Sequence, residues 1–144
     1  ETNVFYLLMK GFYEIGAIPV TASKINVDLM PVDVSVEEVL TLKDCEDMIY
    51  HIMSHVPVTL EEAVKALDES IQVVTEEEFI RILEEKKQNI NQKLVAIVIN
   101  HWHGMKNGKN EIEVTNRLTM KALYGKECEP IIPSAKQILQ GFPV

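Results

Sequence analysis

Cysteine is nearly absent from this chain. The two present, Cys45 and Cys128, stand far apart and neither belongs to a C-x-x-C pair. That excludes a disulfide framework and a paired-thiol zinc or redox motif, and it predicts reduced thiols in a cytoplasmic protein. Long hydrophobic runs are also missing. No apolar stretch reaches the roughly 18 residues that span a bilayer, and the first residues carry no basic region followed by an apolar one. The expectation is a soluble protein with no membrane span. The chain opens on Glu1 rather than Met, so the expectation covers a domain that can belong to a longer protein.

Catalytic signatures are equally scarce. There is no Gly-x-Ser-x-Gly elbow and no paired-glycine dinucleotide fingerprint. Gly104 to Asn110 resembles a phosphate loop but has one residue too few between its glycines and lacks the Ser or Thr that would bind magnesium. A turn explains it better. The carboxylates sit in capping positions and on polar faces such as Glu84 and Glu85, so no pair stands out as acid and base.

What the chain does have is hydrophobic content and acid. Its 144 residues are 47% hydrophobic, with a net charge of −8, enough for one globular domain that buries about 68 to 70% of its unfolded surface. The charge is uneven. From Asp33 to Glu85 fifteen acids face three bases, a balance of −12, whereas Lys86 to Lys126 holds eight bases against two acids, a balance of +6. The basic segment has no Arg-rich or aromatic-interleaved stripe, and the acidic one would repel a polyanion, so nucleic acid is an unlikely partner. Two solvated faces that attract each other, within the fold or across a head-to-tail contact, account for the pattern, and a homodimer is the expected form of self-association.

Helix starts punctuate the chain. Ser35, Thr59, Thr75, Asn110 and Ser134 each stand three residues before Glu or Gln, as in a capping box. Gly16, Pro57, Gly125 and Gly141 read as stops. Helices are predicted near 3–15, 36–55 (with a possible break at Thr41 and Leu42), 60–71, 76–105, 111–124 and 135–140. Residues 17–34 are the exception, an extended connection in which Ile25, Val27 and Leu29 alternate with polar residues as in a strand. Its best candidate partner is 111–115. The fold class is therefore mainly α: a single-domain bundle of about six helices over 1–144, with one long central helix and a minor extended arm or short strand pair.

The run Lys93 to His103 decides how the histidines are read. A strand would put His101 and His103 on one face, and Asn107-Gly108 would favour a hairpin of 95–103 with 111–115. A helix separates the two rings by about 200°. The helix is preferred, because on a wheel of about 100° per residue Phe79, Ile80, Leu83, Ile90, Ile97, Val98, His101 and Met105 all fall within about 60° of Leu94. This predicts one continuous helix from Glu76 to Met105, a buried neutral His101 at the centre of its apolar stripe, a solvated His103, and Trp102 in a core or subunit contact.

Asp47, His51 and His55 are four apart, so one helix would carry them on adjacent turns as candidate zinc ligands. The apolar face there belongs to Met48, Ile49, Ile52, Met53 and Val56, which makes a solvated polar face the preferred reading and no metal the expectation. The N-terminal helix presents Val4, Phe5, Leu7, Leu8, Phe12 and Ile15, too wide a face for a surface helix, so it is sandwiched in the core or between subunits. The sequence therefore reads as a non-enzymatic regulatory or adaptor domain that acts by binding another protein and needs no cofactor. Two alternatives stand beside it. One is a sensor holding an apolar, lipid-like small molecule among Phe12, Val98, His101 and Trp102; the other is a metal-dependent enzyme using the His pair.

Overall fold

The computed structural model describes residues 3–45, 49–54, 58–107, 117–125 and 134–140. Among these the protein is mainly α, with eight helices and two short strand pairs. Helix α1 (Val4–Ile15) starts where Asn3 Oδ1 accepts the Phe5 N–H at 2.8 Å. It stops at Gly16, whose φ of 73° lets its N–H bond back to the Phe12 and Tyr13 carbonyls. That left-handed turn delivers the chain straight into β1 (Ala17–Pro19), and α2 (Val20–Ser23), β2 (Asn26–Val27) and α3 (Val32–Leu42) follow.

The predicted extended connection over 17–34 is thus replaced by two strands, a helical turn and the start of α3. Strand β2 pairs antiparallel with β3 (Val58–Thr59), so that Asn26 faces Thr59 and Val27 faces Val58. The partner expected from the sequence, 111–115, lies outside the described residues. Strand β1 pairs parallel with β4 (Gln72–Val74), with Ile18 opposite Val73.

Helix α4 (Leu60–Leu67) carries a complete capping box: Thr59 Oγ1 accepts the Glu62 N–H at 3.2 Å, and the Thr59 N–H donates to the Glu62 carboxylate at 2.8 Å. The Thr75 hydroxyl starts α5 (Glu76–Lys86) by accepting the Glu78 N–H, and Ser134 with Gln137 forms the box that starts α8 (Ala135–Ile138). Gly125, at φ 67°, follows α7 (Arg117–Tyr124) as a stop. Ser35 starts nothing. Helix α3 already begins after Pro31, and the Ser35 hydroxyl donates to the Pro31 carbonyl. The start read at Asn110 and the stops read at Pro57 and Gly141 lie outside the described residues.

Two predicted helices are corrected. The long central helix is interrupted at 87–91, giving α5 and α6 (Gln92–Asn107) instead. Asn91 makes the break: its Oδ1 accepts the Lys93 N–H at 2.9 Å while its carbonyl accepts the first helical bond from Val95. A short polar side chain at a helix entrance satisfies amides that a continuous helix would satisfy itself. The helix predicted over 36–55 ends at Leu42, and residues 49–54 are not helical. Because 95–103 is helical, it forms no strand of a hairpin.

The core is one cluster in which α1 is buried against α6, α4 and α5. Leu8, Met9, Phe12 and Ile15 supply its side from α1, and Leu94, Val95, Val98 and Trp102 from α6. Of the broad apolar face of α1, Leu8, Phe12 and Ile15 are covered within the chain, Phe5 and Leu7 are partly buried and Val4 is 50% exposed. Helix α1 passes close to α6 at Gly11, where a Cβ would fall inside the van der Waals envelope of Val98 Cγ2 and 3.6 Å from the Leu94 carbonyl oxygen. Val98 is fully buried, and a β-branched side chain has little rotameric freedom on a helix, so it cannot swing aside.

Gly11→Ala is expected to destabilise the protein by about 1 to 3 kcal/mol, the usual range for overpacking, although alanine favours an isolated helix by about 0.5 to 1 kcal/mol. The double variant Gly11→Ala/Val98→Ala should be less destabilised than the sum of the two single changes, with a coupling of about 0.5 kcal/mol or more. Urea unfolding checks both, and additive single-site losses would contradict the close approach.

Candidate functional site

Three of the four residues expected around an apolar ligand do come together, as packed core. Phe12 and Val98 are fully buried and Trp102 is 4% exposed. Phe12 packs tilted against Phe79 at 6.2 Å between ring centroids, and Phe79 meets Trp102 edge to face at 5.3 Å. The indole N–H of Trp102 donates to Thr21 Oγ1 at 3.2 Å. These contacts tie α1, α5, α6 and α2 together.

His101 is not among them; it is exposed, which corrects its placement at the centre of a buried stripe. The reason is helical phase. With the break at 87–91, α6 takes its own orientation, and Leu94, Val98, Trp102 and Val95 fall at about 0, 40, 80 and 100° on its wheel. His101, at about −20°, lies on the edge of that face. His103 is exposed, as expected, and stacks on the Trp102 ring at 5.2 Å.

The expected metal ligands are not brought onto one helix. His51 stands in the non-helical segment 49–54 with its side chain exposed, and its carbonyl accepts the Thr119 hydroxyl at 2.9 Å. Asp47 and His55 lie outside the described residues. Among the described residues no three His, Cys, Asp or Glu side chains are grouped as metal ligands, and no helix is long and apolar enough to cross a membrane.

The feature that sequence reasoning missed is on α3. Val32 is 77% exposed, Leu40 61%, and Val36 and Val39 52% each. Taking Val32 as zero and about 100° per residue, Val39, Val36 and Leu40 lie at about −20, 40 and 80°. Four large apolar side chains thus form one stripe in water. Asp33 and Glu37 follow at about 100 and 140°, and a shallow groove beside the stripe is lined by Val32, Asp33, Val36, Glu37, Leu40 and Thr41. The Thr41 and Ser35 hydroxyls donate to carbonyls of their own helix, so the face presents methyl groups and carboxylates. Pro31 followed by Val32, Val36, Val39 and Leu40 is the signal that could have located it, since proline ahead of an apolar period marks a helix entrance. The reading over 36–55 began one turn too late.

The opposite side of α3 is held by α7. Glu38 is 3% exposed, Leu42 is buried, and the Tyr124 hydroxyl donates to Glu38 Oε1 at 3.2 Å. Glu38 and Leu42 fall at about 240 and 280°, well away from the exposed stripe. Burial, and then the negative charge of Glu38 beside it, pushes the Tyr124 phenol above its ordinary value of 10.0. Comparison with protein family models, curated proteins and solved structures finds no match to this chain.

A phenol held above its unfolded value keeps its proton longer in the folded state. Its contribution is therefore complete below pH 10.0 and is lost as pH rises through the folded value. Replacing Tyr124 by Phe should flatten the fall in stability that the wild type shows above that pH. Denaturant midpoints measured from pH 8 upward test this, and parallel curves for the two proteins would contradict it.

Proposed function

We propose that this chain is a non-enzymatic regulatory or adaptor domain that acts through protein–protein interaction, with the outer face of α3 as its contact surface. The observation that carries the reading is the stripe of Val32, Val36, Val39 and Leu40, each more than half exposed on a helix whose other side is already engaged. Scattered apolar side chains on a surface need no explanation, but a contiguous row of them marks an interaction site. The spacing i, i+4, i+7, i+8 is that of helices that lie in grooves or against other helices. The core supports the same reading, because α1 and α6 consume Phe12, Val98 and Trp102 in packing and leave α3 on the periphery.

The double change Val36→Ser/Leu40→Ser should leave the stability of the isolated protein within about 0.5 kcal/mol of wild type, as surface substitutions do. A photo-crosslinking residue placed at Val39 should give a discrete adduct with a second protein in cells, lost in the same double variant. Destabilisation by about 2 kcal/mol or more would mean that the chain itself covers this face. Absence of any adduct would contradict the proposed contact surface.

A further inference from the structure

The α3 face has a chemistry that selects among partners. We propose that it accepts an amphipathic helix of another protein whose apolar stripe is flanked by Lys or Arg; this rests on the reading of α3 as the contact surface. The helix is 11 residues long, about 16 Å at 1.5 Å per residue, which matches about three turns of a partner helix laid along it. Its apolar row supplies burial. The flank supplies discrimination, because Asp33 and Glu37 border the groove and are both exposed. A partner whose cations reach that edge gains charge-assisted contacts, and one with anions there meets like charge as water is excluded.

Charge argues against the other occupants. Asp33 and Glu37 are exposed along that edge of α3, so a second copy placed face to face on α3 would bring like charges together there. An anionic lipid surface would be repelled in the same way. A basic helix is attracted over the range at which the others are pushed off, and then finds methyl groups of its own spacing.

Two synthetic amphipathic peptides of about 15 residues, near the length at which isolated helices become marginally stable, are the probes. One has a leucine stripe flanked by lysine, the other the same stripe flanked by glutamate. The Leu/Lys peptide should bind the full chain about tenfold or more tighter than the Leu/Glu peptide, and Val36→Ser/Leu40→Ser should weaken it about tenfold. That variant keeps every acid, so non-specific attraction to the acidic surface is unchanged by it. Asp33→Asn/Glu37→Gln should reduce both the preference for lysine and the salt dependence.

Equal binding of both peptides, lost together in Val36→Ser/Leu40→Ser, would overturn the basic-partner inference while leaving α3 as the contact surface. Lysine-peptide binding unaffected by that variant would overturn both. Sedimentation showing a dimer abolished by Val36→Ser/Leu40→Ser would overturn the inference in favour of a second copy. Flotation with phosphatidylserine vesicles that depends on Val36 and Leu40 would overturn it in favour of a membrane.

Discussion

The close passage of α1 over α6 at Gly11 sets the geometry of everything else in this protein. With no side chain at Gly11, Val98 seats against the α1 backbone, and the two helices lie near enough for Phe12 to reach Phe79 and for Phe79 to meet the edge of Trp102. Such aromatic pairs are each worth about 0.5 to 1.5 kcal/mol beyond the area they bury. The surface ion pairs are weaker, whether within one helix or, as for Lys136 with Glu69, between distant segments. Arg81 bonds Glu78 and Glu85 on its own helix, and exposed pairs of that kind contribute about 0 to 1 kcal/mol. One cation does matter to the frame: Lys86 Nζ donates to the Ile15 carbonyl at 2.7 Å, placing a positive charge at the C-terminus of α1 where the helix dipole favours it. Gly16 then turns the chain so that β1 can pair with β4, some fifty residues away in sequence.

A core closed in this way leaves α3 outside it. The helix buries only Glu38 and Leu42, and neither belongs to the main hydrophobic cluster. Its attachment runs through α7, by the Tyr124 hydroxyl on the Glu38 carboxylate. A helix held along one edge can expose a full apolar stripe without cost to the core, because the stripe is not needed to hold the core together. On the proposed reading, stability rests on α1 with α6 and recognition on α3.

The helical class was legible because helix ends announce themselves chemically. Thr59 with Glu62, Thr75 with Glu78, Ser134 with Gln137, and Gly16 after Ile15 all act in the structure as their side chains or backbone freedom suggest. The break between α5 and α6 was harder to read. A hydrophobic period that persists across it suggests one helix, and only Asn91, a good entrance residue, points the other way. His101 followed from that error, since its apparent burial depended on carrying the phase of α5 into α6. Of the strand pairs, β2 was legible in the alternation of Ile25, Val27 and Leu29 with polar residues, but its partner was not. Two or three residues facing as many at long separation leave almost no periodic signal, and β1 is buried throughout, so nothing alternates along it. The α3 face was hidden by its boundaries: starting that helix at 36 removes Val32, and running it on to 55 moves attention to Asp47, His51 and His55.

Residue-resolved hydrogen exchange of the full chain tests most directly the division between a closed core and a peripheral α3. Local and global opening separate cleanly in such data. The backbone amides of α1 from Leu8 to Ile15 should exchange only through global unfolding and show the protein's full stability. Those of α3 from Val36 to Leu42 should exchange through a local opening at markedly lower free energy. Equal protection of the two helices would contradict the account, because it would make α3 part of the same cooperative unit as α1 and α6.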